Sequence, residues 1–255
     1  MKNIAALWLL LLLAGACTSP TGTTRTERDS IAERQEQLRV LPGSDLYKMG
    51  ISRRAVSLRD TYYEAVIRFD VVHKDDKVES RKFSFDDKGN LTNINYYDDD
   101  GDLDLREIYQ YNETGKLWRI NQFYGDGELR TRTTCHYDQN GVMDYATRRD
   151  EDGDFEARML YKYNEQGRVS QMSVVDDDGD LDIRYTYHYD PQGNLIRKNE
   201  YDDDGDLDET RTWYYTMDES GNWTSCIEYV DGEPYRVVIR SATLPDPVGA
   251  LPAPE

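Results

Sequence analysis

The chain has 255 residues, of which 38% are hydrophobic and 32% charged, with twenty tyrosines and a net charge of −19. Such an acidic surface repels phosphate backbones and anionic headgroups, which excludes nucleic acid as a direct partner and leaves cations and basic partners open. Few aliphatics and many tyrosines suit thin or one-sided sheets better than a deep aliphatic core.

Lys2, an apolar run from Ile4 to Ala14 and small residues before Cys17 form a secretory signal too short to span a bilayer. Leu13-Ala14-Gly15-Ala16-Cys17 resembles a bacterial lipobox, although Leu13 stands four residues before the cysteine instead of three. The resemblance implies a signal over 1–16, lipidation of Cys17 and a membrane partner reached through the acyl chains. Thr18 in place of aspartate points to the outer membrane. Residues 17–45 form a polar tether, with a solvated helix expected between Thr26 and Arg39 and a stop at Pro42-Gly43.

From 46 to 240 the chain is a repeat domain. Gly101, Gly127, Gly153, Gly179 and Gly205 fall 26 residues apart, as do Gly89, Gly115, Gly141, Gly167 and Gly193, and Gly221 follows after two extra residues. Asp or Asn opens each turn of the second series, as in Tyr111-Asn112-Glu113-Thr114-Gly115-Lys116-Leu117, and glycine takes the left-handed backbone. Leu181, Ile183, Tyr185, Tyr187 and Tyr189 alternate with polar residues, and Phe155, Ala157, Met159, Tyr161 and Tyr163 repeat the pattern, so these are strands with one covered face. Leu117 to Phe123 is more polar, with Leu117 and Phe123 expected on one face around Arg119 and Asn121. Before Gly89, Val66 to Phe85 is expected to be a degenerate repeat turning at Asp75-Asp76-Lys77. The fold class is therefore all-β: tandem repeats in a continuous antiparallel meander or spiralling sheet of about a dozen strands. Cys135 and Cys226, far apart in that meander, are expected as free thiols. Residues 241–255 form a proline-rich tail.

The Y-D-x-x-G-x-L turns, such as Tyr189-Asp190-Pro191-Gln192-Gly193-Asn194-Leu195, resemble the YD repeats of bacterial RHS proteins over roughly residues 70 to 232. That likeness implies the repeat geometry and a spiralling sheet. It implies no toxin-encapsulating role, because the chain is far shorter than an RHS shell.

The acidic turns carry the candidate ligands: Asp98, Asp100, Asp102 and Asp104; Asp176, Asp178, Asp180 and Asp182; Asp202, Asp204, Asp206 and Asp208. Clustered carboxylates around a glycine turn suit calcium, a hard cation that takes oxygen ligands, but the EF-hand register fails because Tyr96 would fill its first place. The preferred expectation is structural, with no cofactor, the charge being offset by Arg106, Arg132, Arg158 and Arg184 at the same period. Tyr109, Tyr161 and Tyr187, interrupted by Cys135, form a column that packs the sheet or presents an aromatic face to a glycan or peptide. His73, His136 and His188 are scattered, and acidic pairs that repeat suggest architecture, since an active site occurs once. The expectation is a lipid-anchored, non-enzymatic envelope protein whose domain binds or scaffolds an unidentified protein or glycan, with a calcium-stiffened structural protein as the alternative. A deep pocket of non-repeated polar residues would reopen the question of an enzyme.

Overall fold

The computed structural model describes residues 44–49, 51 and 55–244. Cys17 and its signal, the expected helix over Thr26–Arg39 and most of the proline-rich tail lie outside the described residues. A short helix α1 (Asp45–Lys48) precedes fourteen strands: β1 (Ser57–Arg68), β2 (Val71–Phe85), β3 (Leu91–Tyr97), β4 (Leu103–Tyr111), β5 (Leu117–Tyr124), β6 (Leu129–Tyr137), β7 (Met143–Asp150), β8 (Phe155–Tyr163), β9 (Val169–Val175), β10 (Leu181–Tyr189), β11 (Leu195–Tyr201), β12 (Leu207–Met217), β13 (Trp223–Val230) and β14 (Glu233–Thr243). Each strand pairs antiparallel with its sequence neighbour, and β1 pairs with β14 to close a barrel. The all-β meander is as expected; it has fourteen strands instead of about a dozen, and it closes.

The turns explain the closure. In the β2–β3 hairpin Asp86 and Asn90 pair, Gly89 N–H donates to the Asp86 carbonyl, and Gly89 has φ of 80°. This is a three-residue loop ending in a left-handed residue, and the register slips between Ser84 and Phe85 as the resulting bulge demands. Similar slips mark the hairpins that follow. Every bulge adds right-handed twist, so the sheet coils instead of lying flat.

Three expectations are corrected. Asp75-Asp76-Lys77 lies inside β2, and the chain turns at Phe69-Asp70, both left-handed at φ 53° and 59°, a two-residue hairpin without glycine. The β5 bulge next to Leu117 changes the facing, so that Leu117, Ile120 and Gln122 are buried while Phe123 pairs with Arg106 on the outside. β14 continues to Thr243, beyond the expected start of the tail.

The expected inward faces of β8 and β10 hold, with Ala157, Met159, Tyr161, Tyr185 and Tyr187 buried. With Ile94, Ile120, Ala146 and Met172 they fill one side of the barrel interior. The column of Tyr109, Cys135, Tyr161 and Tyr187 is therefore internal packing and offers no exposed face to a glycan or peptide. α1 packs against the rim that carries the Gly89-type turns, at the β2–β3 turn. Leu46 is fully buried and donates its N–H to the Gly89 carbonyl, while the Asp45 carboxylate accepts Leu91 N–H at 2.8 Å. Cys135 and Cys226 are free and buried, as expected, and burial pushes the Cys135 thiol up to about 12.

Arg106, Arg132 and Arg158 are exposed on alternate strands of the outer face. A bilayer-spanning barrel needs an outward apolar band, and a mid-depth arginine costs roughly 2–4 kcal/mol. The outer face of these strands is therefore a water-facing one. Arg158 and Arg184 lie over the rings of Tyr145 and Tyr201, and among the described residues none of the four ladder arginines forms an ion pair with a turn aspartate. The expected arginine compensation of the acidic rim is thus not made through direct ion pairs, and Arg158 and Arg184 make cation–π contacts on the outer face.

Candidate functional site in the barrel lumen

The side of the lumen bounded by β10 to β14, β1 and β2 encloses a cavity of about 490 Å³. Strand register brings ionised side chains together there. Asp60 on β1 stands opposite Arg81 on β2 and Arg240 on β14. Arg240 Nε and Nη2 donate to the two Asp60 oxygens at 2.7 and 2.6 Å, a bidentate fork whose side chains are 7% and 4% exposed. The Arg240 guanidinium lies 3.5 Å from the Trp223 ring centroid.

Glu79 accepts from Arg81 Nε at 2.9 Å and lies 3.4 Å from Arg236 Nη1. Arg211 Nη2 donates to Glu209 and Nη1 to Glu228, each at 2.9 Å. Lys198, 4% exposed, donates to Glu200 at 2.9 Å and sits 4.4 Å from the Tyr185 ring centroid. Burial lowers the Lys198 pKa, and the Glu200 carboxylate opposes that shift. Asp60, Arg240, Lys198 and Glu228 are buried and the other members of these pairs half-buried; unpaired, each of the four buried charges would carry a desolvation cost of several kcal/mol. Tyr235, 43% exposed, stands in the lining next to the β13–β14 turn and marks the solvent-facing end.

These residues are departures from the repeat. The position of Lys198 is held by Ile94, Ile120, Ala146 and Met172 in earlier copies, and that of Arg211 by Glu107, Thr133, Met159 and Tyr185. What recurs in the sequence does not show them; a charge at an inward position that is apolar one period earlier, as Lys198 follows Met172, is the available signal. Glu107 is a further inward charge, one period after Arg81. It is 1% exposed, accepts from the Tyr109 hydroxyl and from Gln122 Nε2 at 3.1 Å, and burial pushes its carboxyl up to about 7.

The sequence-derived metal candidates lie on the opposite rim from α1. Asp98 and Asp176 are occupied by the turn itself: Asp98 Oδ1 accepts Gly101 and Asp102 N–H at 2.8 Å each, and Asp176 Oδ1 accepts Gly179 and Asp180 N–H at 2.9 and 2.8 Å. Asp202 does the same for Asp206 N–H at 2.8 Å. Asp100, Asp102, Asp104, Asp178, Asp180, Asp182, Asp204, Asp206 and Asp208 are exposed. Among the described residues the one carboxylate group close enough to share an ion is Asp176, Asp177 and Asp178, with oxygens within 4.8 Å of one another. His136 stacks on Tyr145 at 4.3 Å, and His73 and His188 are exposed and apart.

No family model and no curated protein matches the chain. Among solved structures, a porin-like protein from Bacteroides uniformis shares 14% identity over 74% of this chain and 96% of that one, with a TM-score of 0.44. A LolA superfamily protein from Nitrosomonas europaea shares 10% over 87% and 95%, with a TM-score of 0.31. A Tc holotoxin pore from Photorhabdus luminescens shares 16% over 69% of this chain, at a TM-score of 0.29, and this chain spans 9% of that one. At these identities and TM-scores the barrel is defined by its own strand pairing.

Proposed function

We propose that this protein is a lipid-anchored, non-enzymatic component of a bacterial envelope, probed by ligands through its lumen and not across an exposed sheet face. The observation that carries the reading is the cavity of about 490 Å³ among buried and half-buried, reciprocally paired charges, a size within the usual range of small-ligand pockets. The lumen is a deep pocket of non-repeated polar residues, the feature that would reopen an enzymatic reading. Its carboxylates nevertheless face guanidinium or ammonium groups at hydrogen-bond distance, so each is already engaged by a fixed partner on the lumen wall. Fixed, satisfied polar groups favour recognition. The lipobox-like segment ending at Cys17 supports the envelope anchor.

Native mass spectrometry of the protein extracted gently from envelope fractions tests this. A retained mass of small-molecule size is expected, and Val238→Trp, which places an indole in the cavity lining, should abolish it while the barrel still melts cooperatively. Retention equal in both proteins, or no retained mass, overturns the lumen as the binding site.

A calcium-binding structural role is favoured at one place, the Asp176–Asp178 group on the β9–β10 turn. Calcium should then raise the melting midpoint over chelator, and Asp178→Ala should erase the rise. An unchanged midpoint in the parent protein removes this second reading.

A further inference from the structure

We propose that the lumen ligand is a neutral, hydroxyl-rich molecule, a short oligosaccharide; this rests on the lumen being a binding site. The lining holds six cations (Lys48, Arg81, Lys198, Arg211, Arg236 and Arg240) and the carboxylates of Asp60, Glu79, Glu200 and Glu228. Glu209 behind Arg211 and Asp45 behind Lys48 bring the carboxylates level with the cations. In a chain of net charge −19, the lumen is thus a neutral enclave. An anionic or cationic ligand would have to compete with a buried pair for its partner, at the cost of stranding the other charge.

Lining chemistry excludes the apolar alternative as well. Met49, Phe83, Leu195 and Val238 are its main aliphatic or plain hydrocarbon contributions, too few to sheath an acyl chain surrounded by ion pairs. The remaining bulk is amphipathic aromatic: Tyr185, Trp213, Tyr215, Trp223 and Tyr235 give apolar ring surface with a polar handle. A sugar presents the matching pair of surfaces, C–H faces for rings and hydroxyls for polar groups. Each hydroxyl both donates and accepts, so it can join a guanidinium N–H and a carboxylate oxygen without displacing either. The Arg240 fork to Asp60 uses two of the five guanidinium N–H groups.

Trp213 and Trp223 line the lumen and Trp118 does not, so lumen binding is read as quenching of part of the tryptophan fluorescence. Full-length mature protein should be titrated with cellotriose, maltotriose and chitotriose, with glucuronate oligomers and laurate in parallel, and each heat of binding measured. At least one neutral trisaccharide should give saturable quenching, with affinity at least tenfold above the charged oligomers and laurate, and Val238→Trp should remove it. Tighter binding of laurate or of the charged oligomers overturns the sugar assignment, as does silence of all three neutral sugars. If native spectra of the same preparation still show a retained mass lost in Val238→Trp, the sugar class alone fails and lumen binding stands; if they show none, both fall.

Discussion

The tyrosine that leads most Gly89-type turns, displaced to Tyr215 before the Gly221 turn, does its work twenty residues away. Tyr163 donates its hydroxyl to the Met143 carbonyl at 2.7 Å, Tyr189 to Val169 at 3.0 Å and Tyr215 to Leu195 at 2.8 Å, each reaching the start of the strand just before its own. Tyr111 sits 2.8 Å from both the Leu91 carbonyl and the Asp45 carboxylate, which ties the same ladder to α1. The motif showed the tyrosine and its period, but a bond between consecutive repeats is invisible until the strands are placed side by side. Tyr163→Phe should cost about 0.5–1.5 kcal/mol, the net worth of one hydrogen bond, in a urea unfolding curve with unchanged slope. Gly125 is a second residue whose role is purely tertiary. Its φ is not left-handed, yet an added Cβ would collide with the Leu103 carbonyl oxygen of the neighbouring turn. Gly125→Ala should therefore destabilise by about 1–3 kcal/mol, and a midpoint equal to the parent's would refute the close approach.

Turns were the most legible elements, because Asp, Asn and Gly at fixed offsets state their chemistry locally. Hydrogen bonds from Val142 and Asn222 N–H to the leading carboxylates hold Asp138 and Asp218 below the usual carboxylate range. The same logic divides the acidic turns into structural and spare carboxylates. Asp202→Ala removes the acceptor for Asp206 N–H and should lower stability by about 1 kcal/mol, whereas Asp204→Asn, at an exposed position of the same turn, should leave it unchanged or slightly raise it by removing repulsion. Equal losses from both substitutions would contradict the division. Strand faces were legible on β8 and β10, where alternation runs unbroken for nine residues. On β5 the bulge at Leu117 shifted the count by one, and a one-residue slip sends every later side chain to the other face.

At the scale of the molecule, closure creates an interior, and the interior changes what its charges do. Glu107 faces Arg81, Tyr96, Tyr109 and Gln122, and burial raises it to about 7 from an ordinary 4.5. Because the native state holds this proton more tightly than the unfolded chain, its contribution is fully present below about pH 4.5 and is lost as pH rises through about 7. Thermal melts should show stability falling between pH 5 and 8, by up to about 3 kcal/mol from this group, and Glu107→Gln should flatten the fall. A slope unchanged by the substitution would assign the pH dependence elsewhere. The sequence by itself determined the period, the turn type, the antiparallel meander and the inward faces of the regular strands, all of which follow from contacts within a few residues. Only the tertiary structure decided that β1 meets β14, that α1 docks on one rim, and that the non-repeated charges at 60, 79, 198, 211, 228 and 240 share one lumen. The physical reason is that closure is the sum of twist added at many bulged turns, and the partners it joins, Asp60 and Arg240 among them, lie 180 residues apart with no repeat relating them.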